Sequence, residues 1–275
     1  MLTPSPLKKA LRYGVVVVMV LLGASAVAVG RWKAREHNRQ SAALAQDNMT
    51  LPSQSQRLMP LADTLDAEQR DTLFRHHDLA SLFQVHGQNG FFGPHEQRLE
   101  VAFSQVRRDA VAPGTYHVAG LLRVAGVVSS LTGTIELRRT RYFSGRDNEV
   151  YIATGPFHFQ QHAANKQLRA RLDGVAALDF GVASGKAYLF AEEGAVRPRT
   201  RQFAFEGSAT DARTGQPQRV LWAYEFAPVG NAVLGDFDIG GRMATVNPKY
   251  RKYGWTEYFE NDEWWATSPK PSLNL

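Results

Sequence analysis

A period of two in hydrophobicity, running from Arg98 to Phe226, is what most limits the folds open to this chain. In Leu99-Glu100-Val101-Ala102-Phe103-Ser104 the apolar side chains recur at every second position, which puts them on one face of an extended backbone. The pattern returns at Tyr116–Gly120, Thr134–Arg138, Leu168–Asp173, Phe203–Glu206 and Val220–Tyr224. Turn-forming clusters separate these runs: Asp109–Gly114, Ser144–Asn148, Ser184–Lys186 and Asp211–Gln218.

Expected strand starts near residues 98, 115, 132, 149, 166, 186, 199 and 218 give about eight strands. No helical period lies between them, which argues against parallel βαβ units. Gly120, Gly133 and Gly174 fall inside strands, where a missing side chain permits sharp coiling. The expected architecture is mainly β: an antiparallel barrel or strongly curved sheet, with a sandwich as the competing form. Eight strands enclose a space that side chains fill or that holds one small ligand. The likeness to lipocalin-like barrels is one of fold and carries no functional residue across.

Residues 1–12 are a basic stub, and Tyr13 to Gly30 follows without a charge. Eighteen helical residues at about 1.5 Å each reach roughly 27 Å, enough to cross a hydrocarbon core. Arg31, Trp32 and Lys33 then supply a basic and aromatic flank suited to an interface. A cleaved signal peptide is the competing reading, because Ala24-Ser25-Ala26 and Ala26-Val27-Ala28 both resemble cleavage sites. Either reading exports the remainder. The anchor reading leaves it on the membrane as a single-pass protein, its amino end in the cytoplasm.

Charge supports that division. Lys8, Lys9, Arg12, Arg31, Lys33, Arg35 and Arg39 face only Glu36 in residues 1–40. Setting these seven and one aside from the totals of 32 and 26 leaves 25 bases and 25 acids. A neutral folded part argues against a nucleic-acid binder, which normally carries a basic face on the domain itself. The absence of cysteine excludes disulfides, thiolate catalysis and Cys-ligated zinc.

Residues 31–60 read as a tether and 61–92 as a helical segment packing on the sheet, with a capping box at Asp66-Ala67-Glu68-Gln69. Leu73, Phe74, Leu82 and Phe83 form its apolar side, and Gly87, Gly90 and Gly93 break the chain before Pro94. Residues 93–230 are the β domain and 231–275 an aromatic-rich C-terminal segment.

Few residues suggest chemistry. His158 and His162 have a zinc-compatible spacing only on a helix, and their surroundings read as strand or loop. Asp236-Phe237-Asp238 has the form of an Asp-x-Asp cation motif, and Glu257, Glu260 and Glu263 fall on one helical face. There is no Gly-x-Ser-x-Gly elbow, Walker loop or dinucleotide fingerprint. No cofactor or metal is expected.

The candidate contact residues are instead Tyr253, Trp255, Tyr258, Phe259, Trp264 and Trp265. Such a cluster caps an open barrel end, docks a partner, or lines a carbohydrate or lipid site. The expectation is therefore a membrane-anchored envelope protein that binds or scaffolds a partner. The alternatives are a lipocalin-like carrier of a small apolar ligand and, behind it, a hydrolase using Asp236, Asp238 or Glu257.

Overall fold

The computed structural model describes residues 51–54, 64–85, 87–144, 149–189, 202–240, 245–256, 258 and 263–266. Met49–Leu275 forms one compact unit, and Met1–Asn48 separates as another. The expected anchor Tyr13–Gly30 lies outside the described residues. Among the described residues, no helix is long and apolar enough to cross a membrane.

Among the described residues, ten strands carry the compact unit: β1 Gln88–Phe92, β2 Gln97–Arg108, β3 Thr115–Val124, β4 Val127–Glu136, β5 Arg139–Ser144, β6 Glu149–His162, β7 Leu168–Ala183, β8 Lys186–Leu189, β9 Phe203–Asp211 and β10 Pro217–Ala223. All pairings are antiparallel. Eight of them close into an up-and-down barrel in the order β1-β2-β3-β4-β6-β7-β9-β10 and back to β1. The β6–β7 hairpin runs on beyond this ring. There β5 takes the outer edge of β6 over Glu149–Thr154, and β8 takes that of β7 over Phe180–Ala183.

The alternation decides which side chains enter the barrel. Phe103, Phe157, Phe159, Phe205 and Trp222 all point inward and are buried. Phe205 and Trp222 stack with centroids 4.7 Å apart and planes at 7°. Phe157 meets Trp222 edge-on at 5.2 Å, and Phe103 meets Phe205 at 5.8 Å. This aromatic mass fills the middle of the barrel.

Strand β1 occupies the glycine stretch where the sequence suggests a break. A Cβ on Gly90 would lie 2.3 Å from the Leu221 carbonyl oxygen and 2.4 Å from the Trp222 Cβ. Glycine here permits close strand approach against the tryptophan and does not end the element. The helical segment expected over 61–92 thus stops earlier, and the sheet begins at Gln88.

Helices α1 (Ala67–His76) and α2 (Ala80–Phe83) close one end. The capping box at the start of α1 is formed as expected: Gln69 N–H donates to Asp66 Oδ1 at 2.8 Å, and Asp66 N–H to Gln69 Oε1 at 3.1 Å. Phe83 pushes into the barrel beside Tyr116 and Phe203, at 5.7 and 5.8 Å.

A second apolar core lies outside the barrel. Phe91, Ala204, Leu221 and Ala223 on the outer faces of β1, β9 and β10 are covered by helix α3 (Phe226–Leu234), Phe237, Tyr250 and Trp255. Leu51 packs against the same cluster, and Ser53 Oγ donates to Glu206 Oε2 at 2.6 Å. These two residues fall within the stretch that the sequence suggests is a tether.

Trp222→Ala removes the side chain that three of the interior rings contact. It should cost about 3–5 kcal/mol in denaturant unfolding; a loss below about 1 kcal/mol would place the indole outside the core. Tyr224, 36% exposed just beyond β10, stacks among the described residues only on Phe203, at 5.8 Å. Its truncation should cost clearly less.

Candidate functional site

The C-terminal aromatics lie along the outer wall of the barrel, not over an open end. They divide into two groups. Trp255 is 1% exposed, donates Nε1–H to the Glu96 carbonyl at 2.8 Å and stacks on Phe226 at 5.3 Å. Tyr258 lies half-buried against Trp255 and Phe237, and burial pushes its phenol up to about 12. These two are packing residues in this arrangement.

Tyr253 and Trp264, half-buried as Tyr258 is, lie beside cationic side chains, and Trp265 lies against Trp264. Tyr253 lies parallel to His95 at 6.0 Å, with the Lys252 ammonium 4.8 Å from its ring. The Arg123 guanidinium sits 4.8 Å over Trp264, whose ring meets Trp265 edge-on at 5.8 Å. Phe259 lies outside the described residues.

Under Trp264 runs a near-buried charge cluster on β2 and β3. Arg123 grips Glu100 with two bonds of 2.6 and 2.7 Å, while Arg98 reaches the same carboxylate at 3.0 Å and Asn89 at 2.9 Å. One carboxylate between two guanidiniums is stable this deep because each charge is paired and hydrogen-bonded. It also fixes Arg123 as the platform for Trp264.

The other candidate groups do not converge. Asp236 accepts from Lys249 Nζ at 2.5 Å and Tyr250 OH at 2.8 Å, and these partners hold its carboxyl below the usual range. Asp238 Oδ1 instead accepts the amides of Gly240 and Thr245 at 2.9 and 2.6 Å. Both acids brace their loop. His158 and His162 sit on β6, where four extended residues separate their Cα atoms by about 13 Å, too far for one ion. His158 Nδ1 pairs with Asp173 Oδ1 at 2.7 Å. Glu257 and Glu260 lie outside the described residues. Among the described residues, no three His, Asp or Glu side chains are grouped to hold a metal.

The sequence also gives no hint of a cleft of about 590 Å³ between the α1–α2 corner and the β2–β3 turn, lined by Arg75, Asp78, Arg107, Arg108, Asp109 and Val111 among others. Asp109 accepts the amides of Val111 and Ala112, each at 2.9 Å, and pairs with His117 Nε2 at 2.8 Å. The Ala112 amide, then His117, hold its carboxyl well below the ordinary carboxylate range. The only trace in sequence is Arg107-Arg108-Asp109 at a strand end before Pro113-Gly114.

Two measurements check the division of the aromatics. Trp255→Ala should cost about 3–5 kcal/mol, whereas Trp264→Ala, which loses a half-buried cation–π and edge contact, should cost about 1–2 kcal/mol. Equal losses would contradict it. In an ultraviolet pH titration, Tyr258→Phe should delete a phenolate step near pH 12. A folded pKa above the ordinary phenol value of about 10 also means stability falls as pH rises through this window.

Comparison with protein-family models, curated proteins and solved structures finds no match to this chain.

Proposed function

We propose that this is a single-pass envelope protein whose exported barrel binds or scaffolds a partner through its outer surface. In this reading residues 1–12 stay in the cytoplasm, Tyr13–Gly30 lies in the bilayer, and the compact unit works on the far side. The anchor rests on the charge-free apolar run and its basic, aromatic flanks.

The observation that carries binding by the outer surface is the filled interior. Eight strands suit a small-ligand carrier, but Phe103, Phe157, Phe159, Phe205 and Trp222 take the space such a ligand would need. Contact with a partner then falls to the wall, where Tyr253, Trp264 and Trp265 offer the residue types that dominate interface hot spots. A hydrolase reading is weaker still, since Asp236 and Asp238 are both committed to bracing a loop.

Alkaline carbonate extraction and protease access to a C-terminal tag test the anchor. The full-length chain should stay in the membrane pellet, with its tag cleaved only by protease on the exported side. Deleting residues 1–30 should release a soluble, β-rich domain. Full-length protein in the carbonate supernatant, or an insoluble unfolded truncation, would overturn the reading.

A further inference from the structure

The cleft at the plugged end has features that the outer aromatics and the proposed anchor leave unused. Its volume of about 590 Å³ is that of a small-molecule site. Three arginines, Arg75, Arg107 and Arg108, and two acids, Asp78 and Asp109, are among the residues that line it. Both carboxylates are engaged: Asp78 accepts the Ala80 amide at 3.0 Å, and Asp109 holds Val111, Ala112 and His117.

The cations are less engaged. Arg108 donates from Nη1 to the carbonyls of Phe74 and Arg75, covering the C-terminal end of α1, which would otherwise repel an anion. Among the described residues, the Arg75 and Arg107 side chains make no hydrogen bond or ion pair and are exposed. Arg75, at the end of α1, and Arg107, on β2, bring uncommitted side chains to the two facing sides of the cleft, and guanidinium forks suit a planar or tetrahedral oxyanion.

Beside them stands an apolar lip. Val111 is 91% exposed, yet its turn is rigidly tied by Asp109 and by the Thr115 N–H donating to Ala112 O at 2.9 Å. An exposed apolar side chain on a pre-ordered turn costs little entropy to engage.

We propose that this cleft binds a small amphipathic anion, its carboxylate or phosphate held by Arg75 and Arg107 and its short apolar arm against Val111. The assignment does not depend on the membrane anchor or on the aromatic wall.

Calorimetric titration of the full-length protein in neutral detergent tests it. Hexanoate and hexyl phosphate serve as probes, with inorganic phosphate for the charge alone and hexanol for the arm alone. The hexyl anions should bind at one site, and the stronger of the two identifies the oxyanion preferred. The Arg75→Gln/Arg107→Gln variant should weaken both by at least about tenfold without lowering Tm, because neither side chain supports the fold. Val111→Ser should weaken the hexyl anions and leave inorganic phosphate unchanged. No saturable binding of either hexyl anion up to ~10 mM, or equal affinity in the double arginine variant, would overturn the proposal.

Discussion

The contact on which the rest of the structure depends is the face-to-face stack of Phe205 and Trp222, on neighbouring strands β9 and β10 inside the barrel. Around it gather Phe157 and Phe159 from β6 and Phe103 from β2, so strands from all sides meet on one hydrophobic body. Each such ring buries on the order of 150–250 Å², which makes the barrel interior the largest single source of stability. The contact has a cost, since Trp222 Nε1–H lies buried with no hydrogen-bond partner among the described residues. Glycines opposite the rings make the arrangement possible. A Cβ on Gly133 would lie 2.7 Å from the Phe159 Cα.

With the barrel interior filled, the proposed binding falls to the surface, and the two surfaces described differ in chemistry. The outer wall over β1, β9 and β10 is apolar and covered by the C-terminal segment, and beside it on β2 and β3 Trp264 rests on an arginine that Glu100 fixes. The plugged end is cationic and concave. Helix α1 and the β2–β3 turn meet there through the bonds from Arg108 to the Phe74 and Arg75 carbonyls, so the element that closes the barrel also builds the cleft.

Much of the barrel was legible in the sequence, because β3 and the first half of β7 have one dry and one wet face, and β2 alternates apolar with polar residues although Arg98 to Phe103 are all buried. Strand β1 was not: Gly87, Gly90 and Gly93 read as a break, while Gly90 serves a close approach to Trp222, more than a hundred positions away. Strand β5 was hidden because Leu137 and Arg138 interrupt a run that β6 later bridges. In β10, Val220, Leu221, Trp222 and Ala223 are all buried, since the interior takes one face and the second core the other. Burial on both faces erases alternation, so the outer core had no periodic trace. The aromatic cluster was visible as composition, but composition cannot separate Trp255, in that core, from Trp264, on the wall. The cleft joins residues near 75 with residues near 108, and neither stretch carries a local motif for it.

The central claim is that the barrel is solid. Its most direct test follows the Trp222 indole N–H resonance, assigned through Trp222→Phe, while one equivalent of a nitroxide-labelled stearate is added. A barrel filled by Phe103, Phe157, Phe159 and Phe205 predicts a signal unchanged in position and width. Selective broadening of that resonance at stoichiometric label would mean that the interior opens to an apolar guest and would contradict the account.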